Sequence, residues 1–189
     1  MRVKKNLARV STALLVAACL GPSVWAQYGV AIDNFGRVND NYFRGAQPQV
    51  GDYASLAAMG VKTVINLTSD DADPREEVMV TRNGMAYLQI PMSTRVAPTK
   101  DQIATFLSVV NDPARQPVYV HCVGGKHRTG VMTAVFRMTH DGWTPDRAFR
   151  EMKQYRFGLD FLHPEFKSFV YAYRPELAPQ MAAELVSTR

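Results

Sequence analysis

The stretch that most limits what this chain can fold into is residues 117–131, Pro-Val-Tyr-Val-His-Cys-Val-Gly-Gly-Lys-His-Arg-Thr-Gly-Val. Its first part is a short apolar, β-branched and aromatic run, the pattern of a buried strand, and residues 131–138 continue as a helix. A single cysteine, Cys122, falls between the two. Gly124 and Gly125 let the backbone turn tightly and aim successive N–H groups inward, and the helix that follows adds its positive end. The expected product is an anion cradle with Cys122 at its base.

Such surroundings favour a thiolate, lowering a cysteine pKa from ~8.5 into roughly the 3.5–7.5 range. Arg128 lies six positions after Cys122, so its planar fork can return to the same centre and hold two phosphoryl oxygens. Thr129 is placed to donate a hydroxyl hydrogen bond to the sulfur, and His121 to lock the loop. The backbone N–H groups from Val123 through Gly124, Gly125, Lys126 and His127 to Arg128 form the substrate-binding wall. A buried, inert thiol at a strand-to-helix turn would not call for this whole set of neighbours.

His121-Cys122, five residues, then Arg128-Thr129-Gly130 resembles the signature loop of the cysteine-dependent protein tyrosine phosphatases. Residues 125–130 are similar to the loop of the atypical dual-specificity phosphatases of plant and fungal type, some of which act on inositol pyrophosphates. The resemblance spans residues 35–173 and includes Tyr-Phe-Arg-Gly-Ala-Gln-Pro at 42–48. It implies a dual-specificity phosphatase-like α/β domain in which Cys122 attacks phosphorus and Arg128 holds the equatorial oxygens.

Bulk properties set the frame. With 189 residues and 47% apolar content, one domain suffices. The net charge of +5 is concentrated at the start, since Arg2, Lys4, Lys5 and Arg9 fall within 26 residues that contain no acid; without them 18 basic residues face 17 acidic ones. No footprint for nucleic acid remains. A basic start, an apolar run over 10–20 and Val24-Trp25-Ala26 read as a signal peptide over 1–26, with the domain over 27–189 exported to the periplasm or secreted. A rival reading takes Val16-Ala17-Ala18-Cys19 as a lipoprotein box that leaves Cys19 as a lipid anchor. Neither reading leaves a membrane span after processing.

Along the chain, residues 27–34 read as a loose lead-in, and 35–38 and 41–44 as strands about an Asn39-Asp40 turn. Arg44 reads as a structural hydrogen-bond hub. A helix over 52–59 stops at Gly60, and a central strand follows over 61–67. Asp70, Asp71 and Asp73 read as turn and cap residues, with a substrate-facing loop as the alternative; Asp73 and Glu76 match a capping box with Pro74 at the first helical position. Residues 85–90 form the next strand. Thr99 and Gln102 cap a helix over 100–110. Further helices run over 144–155 and from Pro164 to 173, with a short terminal one to 186; Trp143 is assigned to the core. The sum is a mainly parallel central sheet flanked by helices.

By resemblance, the loop at 91–98 is where an aspartate would protonate the leaving group, but it contains none. Asp101, in the next helical turn, is the nearest candidate for general acid, although a carboxylate there also suits the helix dipole. A missing acid matters most for alkoxide leaving groups, so the sequence leans toward phosphotyrosine-type or phosphoanhydride substrates. Arg95, Lys100, Lys126 and His127 offer a basic rim for a phosphorylated protein or a small polyanionic phosphate. No cofactor and no metal is called for. The alternative is a phosphate-binding module with little turnover; a redox or sulfur-transfer enzyme fits Arg128-Thr129-Gly130 less well.

Overall fold

The computed structural model describes residues 30–69 and 71–175. The signal-peptide and lipid-anchor expectations at 1–26 and the terminal helix to 186 lie outside the described residues. Five strands, β1 (Gly36–Asn39), β2 (Tyr42–Gly45), β3 (Thr63–Asn66), β4 (Ala86–Gln89) and β5 (Val118–His121), form one sheet in the order β1-β2-β5-β3-β4. β1 and β2 are an antiparallel hairpin, and β2, β5, β3 and β4 run parallel. The strand leading into the cysteine is therefore central, with parallel neighbours on both sides.

The buried strands alternate between two cores, as a period of two requires when both faces are covered. Tyr42, Ile65, Val118 and Val120 enter one core with helices α3 (Lys100–Val110), α4 (His127–His140), α5 (Pro145–Gln154) and α6 (Pro164–Ala172). Phe43, Val64 and Tyr119 enter the other with α1 (Asp52–Ala58) and α2 (Glu76–Arg82). The side chains of β5 are fully buried on both faces. Register brings Gly45 and Asn66 level with His121, so the loops after β2, β3 and β5 leave the sheet together at one edge. That edge, at the carboxyl ends of parallel strands, is where ligands bind in such sheets.

Local signals decided several boundaries. The Thr99–Gln102 capping box forms reciprocally and starts α3. The expected Asp73–Glu76 box does not form: α2 begins at Glu76 with no side-chain cap, because the Glu76 carboxylate is taken by buried donors. Helix α4 starts at His127, one turn ahead of the expected Val131, which puts Arg128 and Thr129 in its first turn. Residues 30–34 are not a loose lead-in, since Ile32 is buried and Asp33 accepts from Ala46 N–H. Trp143 is half-buried rather than core, clasped between the Arg137 and Arg147 guanidiniums.

Candidate active site

Cys122 is the first residue past β5 and is buried, and residues 123–126 bend over it before α4 begins. The direction of this loop follows from its carbonyls. Gln47 N–H donates to Val123 O at 3.1 Å, Asn34 Nδ2 to Gly124 O at 3.4 Å and to Gly125 O at 2.8 Å, and Arg44 Nη2 to Gly125 O at 2.7 Å. In a trans peptide the next residue's N–H points opposite its carbonyl. Fixing three carbonyls outward therefore turns the N–H groups of Gly124, Gly125 and Lys126 to the other side of the loop, away from those tethers. Gly125 has φ +61°, and a Cβ there would stand 2.4 Å from the Gly45 carbonyl carbon and oxygen. Only glycine permits both that backbone and that approach.

Arg44 and Asn34 hold this loop from beneath, and the sequence marked only the first. Arg44 is fully buried, with its guanidinium 3.9 Å from the Tyr155 ring centroid, and Nε and Nη1 have no hydrogen-bond partner among the described residues. Burial works to lower its pKa, with Tyr42, Tyr155, Glu151 and Cys122 opposing. Asn34, at φ 57°, also donates to Tyr155 O at 2.9 Å and so ties the loop to the end of α5. A lone Asn before an aromatic strand was the only sequence cue.

Arg128 carries the main surprise. Its Nη1 and Nη2 donate to Asp71 Oδ1 at 2.8 Å and Oδ2 at 2.6 Å, a bidentate pair, and Nη1 also reaches Met92 O at 3.3 Å. Burial lowers the guanidinium's pKa, but hydrogen bonding to Asp71 and the charge of Cys122 more than offset it, and the net direction is upward. The hydrogen bonds from Arg128 hold the Asp71 carboxyl below the usual carboxylate range. Asp71 thus does two things: its Oδ1 accepts from Ser69 N–H at 3.2 Å within the turn, and both carboxylate oxygens pair with the arginine fork. The available cue was its place directly after a central strand.

A second, sealed carboxylate meets His121, the residue before Cys122. Glu76 accepts from Gln47 Nε2 at 2.8 Å, Tyr53 OH at 3.0 Å and Asn66 Nδ2 at 2.5 Å. His121 Nε2 stands 2.9 Å from Glu76 Oε1 without hydrogen-bond alignment, and both side chains are fully buried. Burial pushes the Glu76 carboxyl up, yet the His121 ring and these donors prevail and lower it. Asn66 Oδ1 in turn accepts from Thr68 N and Oγ1, fixing the start of the Asp71 loop.

The remaining candidates are placed as follows. Thr129 Oγ1 is buried and makes no hydrogen bond among the described residues, so the expected bond to the cysteine sulfur is not formed; Thr129 O instead accepts from Thr133 Oγ1 at 2.8 Å. The His127 ring turns away from the rim: Nε2 lies 2.9 Å from Phe157 O and the ring meets that of His163 at 3.7 Å between centroids, tilted by 34°. Burial lowers its pKa. Lys126 and Gly124 are half-buried, and Val123 is exposed at the mouth. Asp101 is exposed in the first turn of α3, and none of the hydrogen bonds of the described residues joins it to the loop. Among the described residues no three His, Cys, Asp or Glu side chains cluster to hold a metal.

A cysteine under a loop whose N–H groups turn away from its tethers, with an arginine fork beside it at a parallel sheet's carboxyl edge, is the arrangement of a cysteine-dependent phosphatase domain. A family model described as DSP-PTPase phosphatase fused to NAD+ kinase matches residues 30–165, and the chain belongs to this family. It is 27% identical over 142 residues to the dual specificity protein phosphatase TpbA of Pseudomonas aeruginosa, covering 75% of this chain and 63% of that protein. It is 27% identical over 126 residues to the inositol diphosphatase DSP2 of Oryza sativa subsp. japonica, covering 65% and 61%. The crystal structure of P. aeruginosa TpbA superposes with a TM-score of 0.67 at 25% identity over 81% of this chain and 95% of that one. The catalytic core of the PP-IP phosphatase SIW14 from Saccharomyces cerevisiae gives 0.70 at 22% identity, over 82% and 93%, a likeness of fold.

Proposed function

We propose that this chain hydrolyses phosphotyrosine-type monoesters or phosphoanhydrides through a phosphocysteine intermediate. The observation that carries the reading is the Arg128 fork: in the free protein it already holds a planar anion by two parallel bonds, beside a cysteine under an anion-binding loop. Cys122 attacks phosphorus while Arg128 and the loop N–H groups carry the charge on the equatorial oxygens, and water then frees phosphate from sulfur. The two substrate classes follow the relatives, one a protein phosphatase and one an inositol diphosphatase.

Export is part of the same proposal and rests on the first 26 residues. Among the described residues no helix is long and apolar enough to cross a membrane.

The test is release of inorganic phosphate, under reducing conditions, from a phosphotyrosine peptide, a phosphoserine peptide and an inositol pyrophosphate. Turnover that Cys122→Ser abolishes supports the phosphatase. Binding of vanadate with no turnover on any of the three favours the phosphate-binding module.

A further inference from the structure

A buried guanidinium is costly unless an anion accompanies it. Arg44 is fully buried, gives Nη2 to the Gly125 carbonyl, and leaves Nε and Nη1 without a partner among the described residues. No carboxylate of the described residues pairs with it. Glu151, the acid whose charge it feels, is already held by Arg137 at 2.8 Å. Tyr42, two residues before it on β2, stays neutral because burial pushes its hydroxyl pKa up. Tethering one carbonyl uses little of what an arginine with five N–H donors and a fixed charge can supply.

Register shows what lies beside this charge. Arg44 stands level with Val120 on the neighbouring parallel strand, and strand alternation puts it on the face that Tyr42, Val118, Val120 and Cys122 share. Cys122 lies two residues beyond Val120, at the end toward which the guanidinium reaches for Gly125. A negative charge on Cys122 is among the influences that favour the charged form of Arg44. The other charged groups around the sulfur are already engaged in the free protein. Both Arg128 Nη groups hold Asp71, His121 faces Glu76, and the His127 ring turns to Phe157 O. Lys126 is half-buried at the mouth, where solvent screens its charge.

We infer that Arg44 is the counter-charge of the Cys122 thiolate, a positioning residue that keeps the sulfur ionised before any substrate arrives. The inference deepens the phosphatase reading and rests on it for what the sulfur attacks. The thiol proton leaves to solvent, and the negative sulfur then stands near a cation that buried surroundings leave poorly screened. An opposite charge at that range favours the ionised form. The two arginines thereby divide the work. Arg128 carries an exchangeable or permanent carboxylate partner at the mouth, whereas Arg44 offers a buried charge with no acid of its own.

The test follows alkylation of Cys122 by iodoacetamide against pH in the full chain, read by mass spectrometry of the peptide that carries it, so that Cys19 does not contribute. The Gly125 carbonyl accepts from both Arg44 and Asn34, which lets charge be separated from tether. Arg44→Met removes the charge and one donor; Asn34→Ala removes the other donor and leaves the charge. In Arg44→Met the midpoint of the alkylation profile should rise by about one pH unit, a roughly tenfold slower reaction below the wild-type midpoint, with the full rate regained at high pH. Asn34→Ala should leave the midpoint in place, and Arg44→Lys, which keeps a cation, should recover most of the shift. Equal shifts in Arg44→Met and Asn34→Ala would reduce Arg44 to a tether and overturn the assignment, as would an unmoved midpoint in folded Arg44→Met. Arg44→Gln repeats the measurement with a polar neutral side chain should Arg44→Met not fold. If neither neutral variant folds, the charge belongs to the fold and the assignment falls. Because alkylation needs no turnover, the phosphatase reading fails separately: a wild type that releases no phosphate from any substrate overturns that reading and leaves the role of Arg44 to the alkylation profile.

Discussion

Asp71 and Glu76 lie five residues apart on the segment after β3, and each carboxylate meets a residue of the loop around Cys122. Glu76 is fully buried and shared among Gln47, Tyr53, Asn66 and the His121 ring. Asp71 is more than one-third exposed and gripped chiefly by Arg128. Burial and the number of donors separate the two roles. A buried charge with four neighbours has no cheap alternative to its native partners, whereas an exposed one can exchange its partner for water or be replaced by another anion. The first kind builds a floor beside His121, the residue before the nucleophile, and the second forms a rim on the arginine fork.

The sharpest way to break this contrast is Glu76→Ala. It strands the Gln47 amide, the Tyr53 hydroxyl, the Asn66 amide and the His121 ring at once. Removing one side of a buried charged pair costs about 3–5 kcal/mol. For a domain of this size that lowers Tm by roughly 6–20 °C, read by thermal unfolding. A cost under about 1 kcal/mol, the level of an exposed pair, would mean the floor is no more fixed than the rim.

Gly125→Ala tests the strip of backbone between rim and floor. The added Cβ meets Gly45 and Ala46 backbone atoms at 2.4 to 2.6 Å, and φ is +61°. Backbone neighbours cannot swing aside, so the carbonyl held by Arg44 and Asn34 must move. The expected cost is roughly 2–4 kcal/mol, from left-handed strain and overpacking together. Vanadate binding should fall with it. A variant that loses Tm but binds vanadate normally would uncouple the loop's orientation from its anchors.

Much of this arrangement was legible in the sequence because it is local. The apolar, β-branched and aromatic strand at 118–121, the glycine turn, the arginine six positions on and the Thr99–Gln102 box each announce themselves within a few residues. The two carboxylates did not, because their roles depend on partners 57 residues away for Asp71 and on the β3–β5 register for Glu76. Asp-Pro-x-Glu at 73–76 has the spacing of a cap whether or not the glutamate turns inward. What turned it inward is the placement of Asn66 level with His121, which sets two buried polar side chains around its carboxylate. Asn34 was missed for the same reason: its three acceptors lie on the loop after β5 and at the end of α5.

The smallest expected effect probes the rim. Because Arg128 holds the Asp71 carboxyl below its ordinary value, the pair contributes stability above the unfolded pKa of ~3.9, and that contribution is lost as pH falls through the lower folded value. The side chain is 36% exposed, so solvent screening limits it to about 1 kcal/mol or less. Urea unfolding of wild type and Asp71→Asn should therefore differ by no more than this at pH 7, with the gap closing toward pH 3. Inorganic phosphate that takes the Nη1–Nη2 edge in place of Asp71 should narrow the gap at pH 7 as well, since the variant gains more from phosphate once its internal competitor is gone, whereas phosphate on the Nε edge should leave the gap unchanged. A gap of several kcal/mol that persists in saturating phosphate would make Asp71 a second Glu76, as fixed in place as the floor.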